Sequence, residues 1–153
     1  MTAITNSNFN TAIAAWLGGD FDTYGAITGW NTSAVIDMSG AFRHNTNGDT
    51  ESFNEDLSGW VTSAVTDMTS MFEGASSFNK VLKADVGGKW DVSSVTNMTD
   101  MFNGATDFNQ VIRNWRVGRG TTLTNMFASA HSNMTDGTNG FSSSYITASG
   151  TPT

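Results

Sequence analysis

The chain has 153 residues, no cysteine, one proline and 16 glycines, with 14 acidic against 7 basic residues for a net charge of −7, which bounds it to one modest acidic domain. Without thiols, neither a disulfide scaffold nor a thiolate metal site can form. The acidic balance disfavours nucleic acid and anionic membranes as partners, while five Trp, ten Phe and eight Met supply the large apolar groups that a disordered chain lacks.

The first predicted element is a helix carrying Phe9, Ala12, Ile13, Trp16 and Leu17 on one face, with Asn6, Ser7 and Asn8 as candidate caps and Gly18-Gly19 to close it. Residues 1–29 are therefore expected to form an N-terminal helical cap. The first basic residue is Arg43, so no basic leader precedes the apolar stretch Thr11 to Leu17, which is also too short to cross a membrane. No membrane insertion is expected.

From Trp30 onward the chain repeats. Trp30 to Phe42, Trp60 to Phe72, Trp90 to Phe102 and Trp115 to Phe127 share a fixed interval of twelve, with Val35, Val65 and Val95 five after Trp and Met38, Met68, Met98 and Leu123 eight after. A second block, Phe-Asn-x-x-aliphatic, recurs as Phe53-Asn54 with Leu57, Phe78-Asn79 with Leu82 and Phe108-Asn109 with Ile112. Successive Trp are 30, 30 and 25 residues apart, and the extra residues fall after Phe42 in one coil and after Phe78 in the next. Insertions that move while the Trp-to-Phe block stays fixed imply loops on a constant scaffold.

Within a coil, Val65, Met68 and Met71/Phe72 follow helical spacing and Gly74 would end the run, so Val65 to Glu73 and Val95 to Asn103 are predicted as short helical or 3-10 segments. The Leu57-x-x-Trp60-x-Thr62 spacing predicts a short strand with two or three side chains inward. One strand and one short helix per coil give an α/β solenoid, a leucine-rich-repeat-like stack of about four coils over residues 30–127. Equivalent residues would then touch: Trp30, Trp60, Trp90 and Trp115; Met38, Met68 and Met98; Phe42, Phe72, Phe102 and Phe127. Asn54, Asn79 and Asn109 would form an Asn ladder. After Phe127 the pattern decays, and residues 128–153 are expected to form an atypical C-terminal cap and polar tail, either loose or a strand for a neighbour.

The segments FNEDLSGWVTSAVTDMTSMFEGASSFN and WDVSSVTNMTDMFNGATDFNQ resemble the repeat of BspA-like leucine-rich-repeat surface proteins, a group that includes a mycoplasma-type lipoprotein repeat of uncharacterised function. The match covers about residues 30 to 127. The resemblance implies a non-enzymatic surface module used in adhesion or protein contact, with no catalytic set to carry over.

Residue chemistry points the same way. His44 and His131 lie in loop-like segments without a second His at metal spacing and read as surface histidines. No phosphate loop, nucleophile elbow or zinc motif is present, so neither an enzyme nor a cofactor is expected. Asp37 and Asp67 occupy equivalent positions and are weak candidates for a bridging cation, against a plainer role in capping turns. Ser39, Thr69, Thr99 and Thr124 form a hydroxyl column that would face water, ice or sugar.

Charge is uneven along the chain. Residues 1–79 hold nine acids and one base (−8), and residues 80–153 hold five acids and six bases (+1). Arg113, Arg116 and Arg119 on the last coil, with Asp49 and Glu51 in one insert and Lys83, Asp85 and Lys89 in the other, are the candidate interface residues, with docking steered by complementary fields. The reading is a structural or binding repeat protein on an assembly, first a phage virion component of decoration or tail-fibre type, because no export signal is evident. The alternative is a secreted cell-surface adhesin module that binds glycan or protein, and the third is ice or carbohydrate binding. Expected partners are proteins or further copies of the chain, with a host surface glycan as an option, at a virion or extracellular surface.

Overall fold

A computed structural model of the chain describes residues 1–83, 89–113, 115–118, 120–136 and 138–141. Its regular elements are α1 (Phe9–Leu17), α2 (Phe21–Tyr24), a 3-10 turn (Ile27–Gly29) and α3 (Ser132–Thr135). All of them lie outside the repeated coils. Between Trp30 and Phe127 the described residues contain no helix and no strand, only isolated parallel bridges in one column, Asp37 to Asp67, Asp67 to Asn97 and Asn97 to Thr122. The expected strand-plus-helix leucine-rich-repeat solenoid is therefore corrected: the coils are built from hydrogen-bonded turns.

The backbone shows why. Ten residues after each Trp, the chain enters the left-handed region, at Gly40 (φ 62°), Ser70 (φ 55°), Asp100 (φ 56°) and Asn125 (φ 53°). A helix cannot propagate through that conformation, so the run with helical spacing closes after one turn. Amides then alternate in role. In the second coil, the N–H groups of Met68, Ser70, Phe72 and Gly74 donate to the carbonyls of Asn97, Thr99, Met101 and Asn103 in the next coil, at 2.8–2.9 Å. Those of Met71, Glu73 and Ala75 donate three residues back within their own coil, to Met68, Ser70 and Phe72. The Thr69 N–H donates to Asp67 Oδ1 at 2.8 Å. Every amide from Met68 to Ala75 thus has a partner, as buried backbone requires, without an extended strand. The predicted strand Leu57 to Thr62 is likewise bent, since the Trp60 N–H donates back to the Leu57 carbonyl at 3.0 Å.

The side chains of successive coils meet inside this frame. Trp30 and Trp60 stack at 6.0 Å and 7°, and Trp90 and Trp115 at 6.2 Å and 18°. Each indole Nε1 donates to a carbonyl of the chain preceding its coil: Trp30 to Gly25, Trp60 to Ile27, Trp90 to Leu57 and Trp115 to Leu82. Phe42, Phe72, Phe102 and Phe127 form one column with ring spacings of 5.5, 5.5 and 6.0 Å. Phe53, Phe78 and Phe108 form a second at 5.8 Å. The columns interlock within each coil at 4.0–4.1 Å, through Phe42–Phe53, Phe72–Phe78 and Phe102–Phe108. Met38, Met68, Met98 and Leu123 are fully buried beside them. Each buried aromatic contributes roughly 1.5–3 kcal/mol from its area, and stacked pairs add about 0.5–1.5 kcal/mol, which compensates for the scarcity of Leu and Ile.

Polar ladders run parallel to the rings. The Asn79 N–H donates to Asn54 Oδ1 and the Asn109 N–H to Asn79 Oδ1, both at 3.0 Å, and Asn139 Nδ2 continues the series onto Asn109 Oδ1 at 2.7 Å. Buried Thr32 and Thr62 each donate to and accept from the next coil: Thr62 Oγ1 donates to the Asp91 carbonyl at 2.9 Å and accepts the Asp91 N–H at 2.8 Å.

The first coil is covered by the N-terminal segment. Asn6 Oδ1 accepts the N–H groups of both Ile36 and Asp37 at 3.0 Å, at the edge where an earlier coil would sit. Asn8 precedes α1 but makes no side-chain cap bond to it; its amide instead bonds Thr5 and Ala3. Helix α1 buries Phe9, Ala12 and Ile13, with Phe9 edge-on to Trp60 at 5.6 Å and Trp16 edge-on to Phe53 at 6.2 Å. At the other end Phe141 packs on Phe127 at 6.1 Å and Met134 of α3 is buried.

Candidate functional site

The insert after Phe42 is a closed loop. Asn45 N–H donates to the Gly48 carbonyl and Thr46 N–H to the Arg43 carbonyl, both at 3.1 Å, while Asn47 Nδ2 reaches back to the Ala41 carbonyl at 3.0 Å. Glu51 N–H donates to Asp49 Oδ1 at 3.1 Å, and the Glu51 carbonyl accepts the Ser77 N–H at 3.0 Å, so the loop is tied to the coil below. Arg43 Nε pairs with Glu73 Oε2 of the second coil at 3.0 Å.

His44 lies between the two acids of this loop, with Nδ1 3.7 Å from Asp49 Oδ1 and Nε2 3.6 Å from Glu51 Oε1. These distances are within ion-pair reach but beyond hydrogen bonding. Gly74 makes room for it, since a Cβ there would lie 2.8 Å from His44 Cβ. The loop thus holds one imidazole and two carboxylates, with a guanidinium at its base. Sequence reasoning treated His44 as an isolated surface residue; the signal that would have found the group is the crowding of Arg43, His44, Asp49 and Glu51 into a single insert.

The acidic column is a set of turn caps. Asp37 Oδ1 accepts the Ser39 N–H, Asp67 Oδ1 the Thr69 N–H and Asn97 Oδ1 the Thr99 N–H, at 2.8, 2.8 and 3.1 Å. That Asn performs the same bond in the third coil means the geometry needs a carbonyl-type acceptor, not a charge. Among the described residues no three His, Asp or Glu side chains gather as a metal site would require. In the hydroxyl column, Thr99 Oγ1 donates to Asn97 Oδ1 at 2.8 Å and the Thr69 hydroxyl is buried. On the neighbouring column, Thr66 and Thr96 donate to the carbonyls of Ile36 and Thr66.

The basic candidates are spread out. Arg113 is exposed and donates from NH1 to the Thr138 carbonyl at 2.6 Å. Arg116 approaches Asp91, whose carboxyl lies below its ordinary value mainly because it accepts the Ser93 N–H, with Arg116 a minor contributor. Lys83 and Lys89 are exposed. Lys89 borders an open depression of about 190 Å³ beside Trp30, Asn31 and Val61, and a second of about 420 Å³ lies between Met1, Tyr24 and Trp30. Arg119, Asp85 and most of the insert 83–89 lie outside the described residues, as does the polar tail beyond Phe141. His131 caps α3, its Nδ1 accepting the Asn133 N–H at 3.2 Å. Among the described residues no helix is long and apolar enough to cross a membrane.

No curated protein and no solved structure matches the chain. The sequence pattern of one family matches twice, over residues 20–85 and 81–148, so that each match holds two of the four Trp-to-Phe coils. No catalytic family is indicated. The two matches together span most of the sequence, and the chain belongs to the repeat family described as Mycoplasma protein of unknown function, DUF285.

Proposed function

We propose that the chain is a non-enzymatic contact module displayed on an assembly, in the first instance a virion component that binds protein through its insert. The observation that carries this reading is the contrast between a constant interior and a variable charged rim. The Trp-to-Phe block has one length in every coil, whereas the residues after Phe42 form a separately bonded loop presenting His44, Asp49 and Glu51. Inserts that vary without disturbing a repeated scaffold are where such proteins carry recognition. The rival, a module exposed on a cell surface that binds protein or glycan, draws on the family's Mycoplasma description and on the resemblance to BspA-like surface repeats.

Immunogold labelling of purified particles and of intact source cells separates the two. Labelled particles support the virion reading, and labelled cells with bare particles support the surface module. Label confined to the cell interior contradicts both. The contact role of the insert is tested by Asp49→Asn with Glu51→Gln, which remove both charges and keep an Oδ1 acceptor for the Glu51 N–H. Both side chains are exposed, so stability should change by no more than about 0.5 kcal/mol while attachment to the labelled structure is lost. Unchanged attachment would remove the insert from the contact.

A further inference from the structure

Two apolar patches of opposite charge lie outside the insert. Phe21 in α2 is 56% exposed and stands between Asp20 and Asp22. Val81 and Val111 are 51% and 52% exposed and occupy the same repeat position, two residues after Asn79 and Asn109. The bond from Asn109 N–H to Asn79 Oδ1, at 3.0 Å, holds these two segments side by side, with Leu82 and Ile112 buried beneath them. Lys80 and Arg113 flank the valines, Arg113 donating to the Thr138 carbonyl, and the equivalent position one coil earlier is Asp56, whose carboxylate feels the Lys80 charge, so the apolar strip begins at an acid and is flanked by bases beyond it. The Phe21 ring contacts Trp16, Trp16 contacts Phe53, and Phe53 stacks through Phe78 to Phe108, which stand three residues before Val81 and Val111.

We propose that a second copy of the chain covers these patches, the acidic Phe21 corner of one copy docking on the basic Val81–Val111 strip of the other. Opposite charge around each apolar centre favours the unlike pairing, and like pairing would set Asp against Asp or Lys against Arg. Because each copy carries both patches, two copies related by a two-fold axis can make the contact twice. The inference rests on the contact-module reading in that it adds a self-contact to it, but it uses a different surface from the insert.

Sedimentation equilibrium of the full chain tests it. The wild-type chain should associate at low ionic strength, and added salt should weaken the association. Phe21→Ser, or Val81→Ser with Val111→Ser, should weaken it roughly tenfold while cooperative urea unfolding is retained. Asp22→Lys and Lys80→Glu should each associate poorly alone, and mixing them should restore association through the reversed pair. A wild-type chain that stays monomeric at every accessible concentration, or charge variants whose mixture gains nothing, would overturn the proposal. Either result leaves the particle and cell labelling untouched, so the two readings fail separately.

Discussion

Trp60 shows how one side chain serves three contacts. Its indole stacks on Trp30, takes the edge of Phe9 and donates Nε1 to the Ile27 carbonyl at 2.9 Å. Trp60→Ala removes the ring, leaves a cavity and takes one of two donors from the Ile27 carbonyl, which keeps the Trp30 N–H at 3.3 Å. The expected cost is about 3–5 kcal/mol by urea denaturation, and a loss below about 1 kcal/mol would contradict an inward indole. The glycines give a finer test. Gly74 and Gly104 share φ 72°, so Ala strains both backbones alike, but a Cβ at Gly74 meets His44 Cβ at 2.8 Å and one at Gly104 meets only ordinary contacts at 3.6 Å. Gly104→Ala should cost about 1–2 kcal/mol, and Gly74→Ala measurably more in the same assay. Equal losses would mean that His44 does not press on the second coil.

Neighbouring coils are joined by polar bonds as well as by rings. Thr62 both donates to and accepts from Asp91 backbone groups, so Thr62→Val leaves an unpaired N–H and an unpaired carbonyl. The expected cost is about 1–3 kcal/mol by thermal or urea unfolding. The third coil carries Val92 at the same position, so Val92→Ala would not reproduce the loss of those two bonds. The Phe columns were legible in the sequence because the Trp-to-Phe interval never varies, and equal spacing puts equal letters in contact once coils stack; in the Trp column the ring contacts are Trp30 with Trp60 and Trp90 with Trp115. The Asn ladder was legible for the same reason. The secondary structure was not. Spacings of three and four are shared by a helix and by consecutive turns, and the deciding left-handed residue is Gly, Ser, Asp and Asn in turn, a column with no single letter to mark it. The His44 group was also hidden, since a closed loop juxtaposes residues five and seven apart in a way that no periodicity encodes.

At the scale of the molecule the acidic N-terminal half meets a near-neutral C-terminal half, and several carboxylates hold the turns. Asp20 and Asp136 lie below the ordinary aspartate value chiefly through the Thr23 and Thr138 side chains, and Asp56 and Asp91 through the Ser58 and Ser93 N–H groups. A carboxyl whose folded value is depressed gives its stabilisation in full above the unfolded value of 3.8 and loses it as pH falls through the lower folded value. The urea midpoint should therefore drop as pH falls below about 4, and Asp91→Asn with Asp56→Asn should shrink that drop. An identical acid arm in the double variant would show that these turn bonds do not couple folding to protons. The central claim is that the coils are stitched to one another by alternate amides over stacked rings, and amide hydrogen exchange followed by NMR tests it most directly. The account predicts that Met68, Ser70, Phe72, Gly74, Met98, Asp100, Phe102 and Gly104 exchange only on global unfolding, far more slowly than the exposed insert amides of Asp49 and Glu51. Exchange of those eight amides at the rate of the insert would contradict it.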